Sequence, residues 1–407
     1  MAGLKLSFNF VVVLYHVFMA TCFCYSENNM FPSSDEIQKL LNSLNKPPVK
    51  SIKSPDGDII DCVHISHQPA FDHPLLKNHT IKVRPNYHPT WINMMNASKD
   101  RRSSSSVTQL WHSNGKCPKR TIPIRRTKKE DVLRADSFRS YGKKKSTSVA
   151  QPSSIDVELD VSRRYEFAYA YTRGEFYATI ATLNLWNPRI QESNEYSLAQ
   201  IWIVGGDLDT IEAGWQVDPE LYGDTNTRLF IYWTSDGFQR KGCFNLECSG
   251  FIQISNKIAL GATMSPTSVI YGSQHDITII ILKDVESGDW LMVLNDEIIG
   301  YWPSELFSQL SGDQSASLIE WGGAVANSEA HGHHTTTQMG SGRLPNQGYK
   351  NASYIKDIEI VDTSYTLGTP DVNLVMERGC YEILTGINDD WGRYIYFGGP
   401  GLNSNCP

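Results

Sequence analysis

The sequence predicts an all-β protein whose C-terminal part is an antiparallel β-sandwich. From residue 155 onward, apolar and polar residues alternate in short runs, and this alternation is typical of strands buried on one side. Gly, Asn, Asp and Pro separate the runs, as turn residues do. About 250 residues of this pattern favour two packed sheets over a barrel. The clearest runs are 176–186, 229–234, 251–254, 276–282, 290–294 and 354–361.

Length and composition indicate a globular protein of two or three domains. The chain has 407 residues, of which 40% are hydrophobic and 20% are charged. Its net charge of −7 gives no reason to expect nucleic acid as a partner. No motif indicates a cofactor, and we expect a monomer.

The first residues have the layout of a secretory signal peptide. Lys5 precedes an apolar run at 10–20, and a polar stretch follows. The run is short for a membrane span, which needs about 20 apolar residues. We expect cleavage between about Cys22 and Ser26, so that residues 1–25 are removed. The mature protein is then secreted, to the extracellular space, the cell wall or the vacuole, with no membrane segment.

A small domain at 33–136 is expected to precede the sandwich. Apolar residues recur at helical spacing behind the N-cap candidate Ser33, and the prolines at 47 and 48 stop this helix. The rest of the domain is rich in proline, histidine and short apolar runs such as 59–66, which predicts a mostly β structure.

A basic stretch separates this domain from the sandwich domain at 155–407. Residues 119–145 contain eleven lysines and arginines against three acids. Within 137–154 serine, lysine and glycine dominate without an apolar period, which predicts an exposed linker. Exposed linkers are where proteases cut, so a processing site near 143–145 is expected. A solvated basic face is the alternative.

Six cysteines remain after the signal peptide. An even number in an exported chain favours disulfides over free thiols, although six cysteines allow 15 connectivities. Their grouping along the chain favours the pairs Cys62–Cys117, Cys243–Cys248 and Cys380–Cys406. The alternative is that some stay reduced and buried. Three sequons fit the same export route and predict glycosylation at Asn78, Asn96 and Asn351.

Two predicted strands carry one carboxylate each among apolar and glycine neighbours. Glu212 lies in the strand at 200–217, and Glu320 lies in the strand at 318–325. A carboxylate in such surroundings needs a partner or has a raised pKa, because loss of solvation disfavours its charged form. The alternation also places Gln200 and Trp202 on one face of their strand, where they are candidates to line the same cleft as Glu212.

Long phrases throughout the chain resemble the neprosin family of plant secreted proteins. In the sandwich they are Gln200-Ile-Trp, Ile211-Glu-Ala-Gly-Trp-Gln-Val, Phe230-Ile-Tyr-Trp-Thr-Ser-Asp-Gly, Gly242-Cys-Phe-Asn-Leu-Glu-Cys, Gly300-Tyr-Trp-Pro, Glu320-Trp-Gly-Gly, His334-Thr-Thr-Thr-Gln-Met-Gly-Ser-Gly and Gly398-Gly-Pro-Gly. The earlier domain is similar to the family's activation peptide in the stretches 68–80 and 115–126.

The resemblance implies a β-sandwich glutamic endopeptidase that is made as a zymogen, is active in acid and cuts next to proline. It places one catalytic glutamate at Glu212 and the other directly after the Trp-Gly-Gly phrase, where this chain has Ala324. Glu320 shares a strand face with Ala324 but lies four residues, about 13 Å, away. It is therefore a weak substitute, which would need a bulge or a different substrate pose.

Two functions follow from these observations. The first is a peptidase zymogen with its own propeptide and a peptide substrate, possibly rich in proline, in which the missing carboxylate at Ala324 impairs catalysis. The second is a non-catalytic module of the same fold that binds peptide or polysaccharide in an aromatic cleft. The histidines at 331–334 are better explained as a solvated loop than as a metal site, because no second cluster of ligands accompanies them.

Overall fold

Antiparallel strands are the main secondary structure of the described residues, as the sequence predicts. The structure is a computed structural model that describes residues 33–82, 107–135, 137, 140–144, 164–284, 286–329, 333–377 and 379–407. The predicted signal peptide, the sequon at Asn96, His331 and residues 145–154 of the predicted linker lie outside the described residues. Within the described ranges, no helix has the length and apolar character needed to cross a membrane.

Twenty strands and three α-helices are described. The helices are α1 (Ser34–Leu44), α2 (Lys129–Arg134) and α3 (Pro219–Tyr222). The strands are β1 (Pro48–Lys53), β2 (Ile59–His64), β3 (Thr108–Gln109), β4 (Thr121–Arg125), β5 (Arg164–Asn184), β6 (Tyr196–Gly205), β7 (Asp209–Val217), β8 (Arg228–Ser235), β9 (Gly242–Phe244), β10 (Ile252–Gln253), β11 (Met264–Ser265), β12 (Asp276–Lys283), β13 (Trp290–Leu294), β14 (Glu297–Trp302), β15 (Ala316–Asn327), β16 (Ser353–Asp362), β17 (Leu367–Gly368), β18 (Asn373–Met376), β19 (Glu382–Asn388) and β20 (Gly392–Gly398).

The N-terminal part has the predicted short helix and a small β-sheet, together with short helical turns. Helix α1 begins with a capping box, in which the Glu36 backbone donates to Ser33 Oγ at 3.2 Å and the Ser33 backbone donates to the Glu36 carboxylate at 2.9 Å. Strands β1, β2 and β4 form a three-stranded sheet, and β3 pairs with β11 of the large C-terminal part. This pairing ties the two parts of the chain together through backbone hydrogen bonds.

The C-terminal part is one fifteen-stranded antiparallel sheet that curls into two layers. Strand β5 joins the layers because it is 21 residues long and its two halves have different neighbours. Its first half pairs with β15 and β18, and its second half pairs with β12 and β16. From β15 the sheet continues through β6, β7 and β8 to β9, and from β12 it continues through β13 and β14 to β10. The all-β prediction is confirmed, and the two predicted sheets are continuous through β5.

The space between the layers is filled by the alternate residues of each strand. Ile211, Ala213 and Trp215 of β7 belong to the same buried cluster as Ile280 of β12 and Trp302 of β14. The Trp215 indole also donates to the Asn184 carbonyl at 2.9 Å, which joins the two layers by a hydrogen bond. Burying each large apolar side chain contributes about 1.5–3 kcal/mol. The opposite face of β7, which carries Glu212, is therefore turned away from this core.

Three disulfides are formed, between the cysteines that the grouping predicts. They join Cys62 to Cys117, Cys243 to Cys248, and Cys380 to Cys406. His334 lies close to the third disulfide, and one of its ring nitrogens and the two sulfur atoms are within 4.8 Å of one another. The sulfur atoms are bonded to each other and are not thiolates, which are the form that binds metal ions.

His334 belongs to a buried cluster of charged groups at the end of β5. Its Nε2 lies 3.0 Å from the Glu166 carboxylate, and its Nδ1 lies 2.7 Å from the Thr335 carbonyl. Burial by itself would lower the pKa of His334, but Glu166, the Thr335 carbonyl and the charge of Glu195 together raise the pKa above its usual value. Both ring nitrogens thus have acceptors, as a protonated imidazole requires.

The pKa of His334 is higher in the folded state than in the unfolded chain, where it is about 6.5. The contribution of protonated His334 to stability is therefore complete below the unfolded-state pKa and is lost as the pH rises through the folded-state pKa. We expect the substitution His334→Gln to lower Tm by about 2–4 °C at pH 5 and by less at pH 8. Thermal denaturation at the two pH values measures this difference, with the exposed His67→Gln as the control. Equal losses at both pH values would contradict the assignment.

Candidate active site

Five neighbouring strands place two glutamates in one row of side chains. Across β5, β15, β6, β7 and β8, the residues directly opposite one another are Tyr171, Glu320, Trp202, Glu212 and Tyr232. Opposite residues of an antiparallel sheet project from the same face. Two strand spacings separate the glutamates, so their Cα atoms lie about 10 Å apart. Both side chains are buried, with exposures of 0% for Glu212 and 3% for Glu320.

The next row along the strands carries no side chain at two of its four positions. It contains Gly214, Gln200, Gly322 and Tyr169. The two glycines lie so close to neighbouring backbone that a Cβ at either position would collide with a carbonyl oxygen, that of Ala199 in the case of Gly214. Only glycine fits such an approach. Gln200 and Trp202 therefore lie on the face of Glu212, beside a row that lacks two side chains.

Ala324 lies two rows away from the glutamates. It is opposite Leu198 of β6 and Phe167 of β5, and about 13 Å along β15 from Glu320. The register therefore puts Glu320, and not Ala324, in the row of Glu212. The expectation from sequence rested on distance along a single strand, whereas pairing with β6 decides which residue of β15 faces Glu212. No bulge is needed for Glu320 to reach this row, because β15 and β6 pair continuously from Leu318 to Ala326.

Burial makes both carboxyl groups hard to ionise. Burial raises the pKa of Glu320 well above its usual value, and the charge of Glu212 raises it further. Burial also raises the pKa of Glu212, although Lys144 and the amide of Gln200 oppose that rise. The two carboxyl groups therefore have different environments. The environment of Glu212 favours the charged form more than the environment of Glu320 does.

Lys144 reaches into this site from the segment between the two parts of the chain. Its ammonium group forms an ion pair with Glu212 Oε2, and both side chains are buried. Three aromatic rings surround the ammonium, with centroids 4.8 Å away for Tyr232, 5.6 Å for Trp202 and 5.8 Å for Phe244. A cation in contact with aromatic faces is favoured electrostatically, and more so when it is desolvated. The ion pair and the rings together compensate for the loss of water around Lys144.

The backbone next to Lys144 is held against the sheet, so the predicted exposed linker is wrong for residues 141–144. The Gly142 carbonyl accepts from the Phe244 backbone at 2.7 Å, and Tyr141 is only 5% exposed. Lys143 donates to the Arg240 carbonyl at 2.9 Å. Composition indicated exposure because the stretch is rich in serine and lysine. Tyr141, an aromatic residue inside the basic run, is a local sign of burial.

A buried charge network anchors the N-terminal part near the site. Asp58 of that part accepts from Arg125 at 3.1 Å and from Arg228 of β8 at 2.5 Å. Arg125 also contacts Asp131 at 3.0 Å, and Arg228 contacts Asp224 at 2.5 Å. Asp58 and Arg228 are 170 residues apart in the sequence, so no local pattern indicates that they meet. They bind the segment that carries Lys144 to the sheet that carries Glu212.

These features define a class of protein: an all-β fold with two buried glutamates on one face of a curled sheet, one of them paired with a lysine from the segment before the sheet. Residues 193–400 match the Neprosin family, and residues 51–171 match the Neprosin activation peptide. The chain belongs to the neprosin family.

Several solved structures share part of this fold at low similarity. Scytalido-glutamic peptidase with a transition state analog inhibitor is 11% identical, with a TM-score of 0.32, and the alignment covers 58% of this chain and 98% of that one. SCP-B, an eqolisin peptidase in complex with the tripeptide Ala-Ile-His, is 9% identical with a TM-score of 0.29, covering 57% and 96%. The chicken liver agglutinin CG-16 is 9% identical with a TM-score of 0.20, covering 41% and 92%. At these scores, the family match alone carries the assignment.

The raised pKa of Glu320 has a measurable effect on stability. The folded state keeps the Glu320 proton at pH values where the unfolded chain has lost it, so stability falls as the pH rises above about 4.3. Glutamine cannot ionise, so we expect Glu320→Gln to raise Tm by about 2–4 °C at pH 7 and to change it little at pH 4. Calorimetry of both proteins measures the difference.

The control is Glu297→Gln, whose carboxylate contacts Lys257 at 2.6 Å on the surface. This variant should change Tm little at either pH, because exposed pairs contribute weakly. A lower Tm for Glu320→Gln at pH 7 would mean that the fold stabilises the ionised Glu320 carboxylate, and that its pKa is lowered and not raised.

Proposed function

We propose that the chain is the zymogen of an acid-active glutamic endopeptidase, with Glu212 and Glu320 as its catalytic pair. The observation that carries the proposal is the shared row in which these two buried glutamates lie on either side of Trp202. Paired carboxyl groups hydrolyse peptides when one accepts a proton while the other donates one. An alanine side chain can do neither, so the proposal assigns no role to Ala324.

The unequal environments of the two glutamates suit these two roles. Mutual repulsion favours a state in which one carboxyl group is ionised and the other keeps its proton. The ionised group takes a proton from water as the water oxygen attacks the peptide carbonyl carbon. The protonated group gives its proton to the substrate, the carbon–nitrogen bond breaks, and the amine leaves. Once the pH is high enough to ionise both groups, no proton donor remains, so the reaction is confined to acid.

Lys144 accounts for latency in this proposal. The ammonium group occupies the position beside Glu212 and neutralises it, so the carboxylate is not available to water or substrate. The ion pair requires an ionised Glu212, and its contribution is lost as the pH falls through the pKa of that group. Acid therefore weakens the contact that holds this segment in the site, and cleavage after the segment makes the release permanent.

The proposed substrate is an exported peptide or protein, cut next to proline as the family resemblance implies. The aromatic side chains around Glu320 support this choice, because Tyr169, Tyr171 and Trp202 offer flat surfaces on which a proline ring can pack. The chain is proposed to follow the secretory route, with its N-terminal segment removed on export and its sequons glycosylated. It works as a monomer together with its own propeptide.

A non-catalytic module that binds peptide or polysaccharide is the second candidate. This candidate is favoured by Ala324, because the family resemblance implies a catalytic glutamate at that position and the chain has an alanine there. This candidate predicts binding without hydrolysis, and it predicts that Ala324→Glu creates an activity that the unaltered chain lacks. The two candidates therefore differ in what the unaltered protein does in acid.

The decisive experiment measures hydrolysis by the exported protein at acidic pH after its N-terminal part has been removed. We expect it to cut proline-containing peptides, and we expect Glu212→Gln and Glu320→Gln each to lower kcat by about 10²–10⁴-fold. The control Glu382→Gln, on a distant strand, should retain full activity. Hydrolysis that survives Glu320→Gln would remove Glu320 from the pair, and hydrolysis that requires Ala324→Glu would favour the binding module.

Latency is tested by comparing two adjacent lysines. Lys144→Met keeps the length of the side chain but removes the charge that pairs with Glu212, whereas Lys143→Met removes a lysine that contacts only the Arg240 carbonyl in the described part. We expect the Lys144 variant to gain activity at a higher pH than the unaltered zymogen. The measurement is the fluorescence released when a labelled peptide is cut. The Lys143 variant should activate as the unaltered zymogen does. Identical activation of both variants would contradict the role of Lys144.

A further inference from the structure

A cluster of aromatic side chains lies on the outer face of the second layer, away from the glutamates. This aromatic patch consists of Tyr349, Tyr354, Trp391, Tyr394 and Tyr396. The Trp391 ring centroid is 4.6 Å from that of Tyr354, 5.6 Å from that of Tyr394 and 5.8 Å from that of Tyr396. Tyr349 packs edge-on against Trp391 at 5.4 Å. The rings therefore form one continuous surface.

The patch is anchored at one end and open at the other. Tyr354 is buried and donates to Asp276 at 2.9 Å, which holds the inner end of the patch to β12. Tyr349 is 51% exposed, and Leu384, which lies opposite Tyr396 on the neighbouring strand, is 49% exposed. An exposed group of large apolar side chains on a soluble domain marks a surface that another group covers.

One sequon lies at the open end of the patch. Asn351-Ala-Ser begins two residues after Tyr349, in a tight turn closed by a hydrogen bond of 2.8 Å from the Ala352 backbone to the Gly348 carbonyl. The Asn351 side-chain amide donates to the Gln347 carbonyl at 3.3 Å. An amide nitrogen carries two hydrogens, and N-glycosylation replaces only one of them, so this hydrogen bond is compatible with an attached sugar.

We propose that Asn351 carries an N-linked glycan whose first sugar packs on the ring of Tyr349 and covers the open end of the aromatic patch. The donor is an activated sugar diphosphate. The Asn351 amide nitrogen bonds to the anomeric carbon and loses one proton, and the diphosphate leaves with the electrons of the broken carbon–oxygen bond. The C–H face of the pyranose then covers the apolar ring surface and removes it from water. This burial makes the free energy of packing favourable. The inference is independent of the proposed catalytic pair.

The contact can be tested with the full chain secreted from a host that adds N-glycans. Peptide mass spectrometry should find a glycan on Asn351. Trimming the glycan to its first sugar should leave Tm unchanged, whereas Asn351→Gln should lower it by about 2–4 °C, the size expected when a domain of this size loses one packing contact. Ser353→Ala, which also destroys the sequon, should give a somewhat smaller loss, because it also removes a buried hydroxyl that has no hydrogen-bond partner among the described residues.

Tyr349→Ser separates glycan packing from other effects of the sequon. In that background, Asn351→Gln should no longer change Tm, because the ring on which the sugar packs has been removed. The matched control is Asn78→Gln, an exposed sequon preceded at the same spacing by Leu76 and not by an aromatic residue, and its effect should not depend on Tyr349. An unmodified Asn351, an equal loss with and without Tyr349, or a dimer that forms through the patch despite the glycan would each overturn the proposal.

Discussion

Two carboxyl groups buried on one face of a sheet each need a proton or a nearby cation, and this requirement explains the arrangement of charged groups in this chain. Glu212 and Glu320 lie two strands apart with Trp202 between them, away from the bulk of water. Lys144 supplies a cation to Glu212, and burial raises the pKa of Glu320, which favours its protonated form. A segment that follows the N-terminal domain is thereby joined by an ion pair to a buried carboxyl group of the sheet.

The fold provides the rigidity that this arrangement needs. Strand β5 runs through both layers, so the sheet that carries the glutamates is continuous with the sheet that packs behind it. Trp215 on the core side of β7 and Glu212 on the other side are separated by only two residues, so the packing of one determines the position of the other. The network around Asp58, Arg125 and Arg228 then fastens the N-terminal part to β8. In each case, the packing of buried neighbouring residues fixes the position of a charged side chain.

Sequence reasoning succeeded where the signal is local. Alternation of apolar and polar residues identified the strands and placed Gln200, Trp202 and Glu212 on one face, because side chains in a strand alternate with a period of two. It failed for residues 141–144, whose composition is that of an exposed linker. Lys144 is buried because of groups that lie about 60 to 100 residues later in the chain, and no local pattern can indicate them.

The position of the second glutamate shows the same limit. The resemblance directed attention to Ala324, and distance along β15 made Glu320 look remote. Register with β6 and β7 puts Glu320 in the row of Glu212 instead.

The sequence by itself thus determined the all-β class, the family, the disulfide partners and the face on which each strand residue lies, since these follow from short-range periodicity and long matching phrases. Only the tertiary structure decided which acid faces Glu212 and which cation neutralises it, because cross-strand register and burial depend on residues that are distant in the chain.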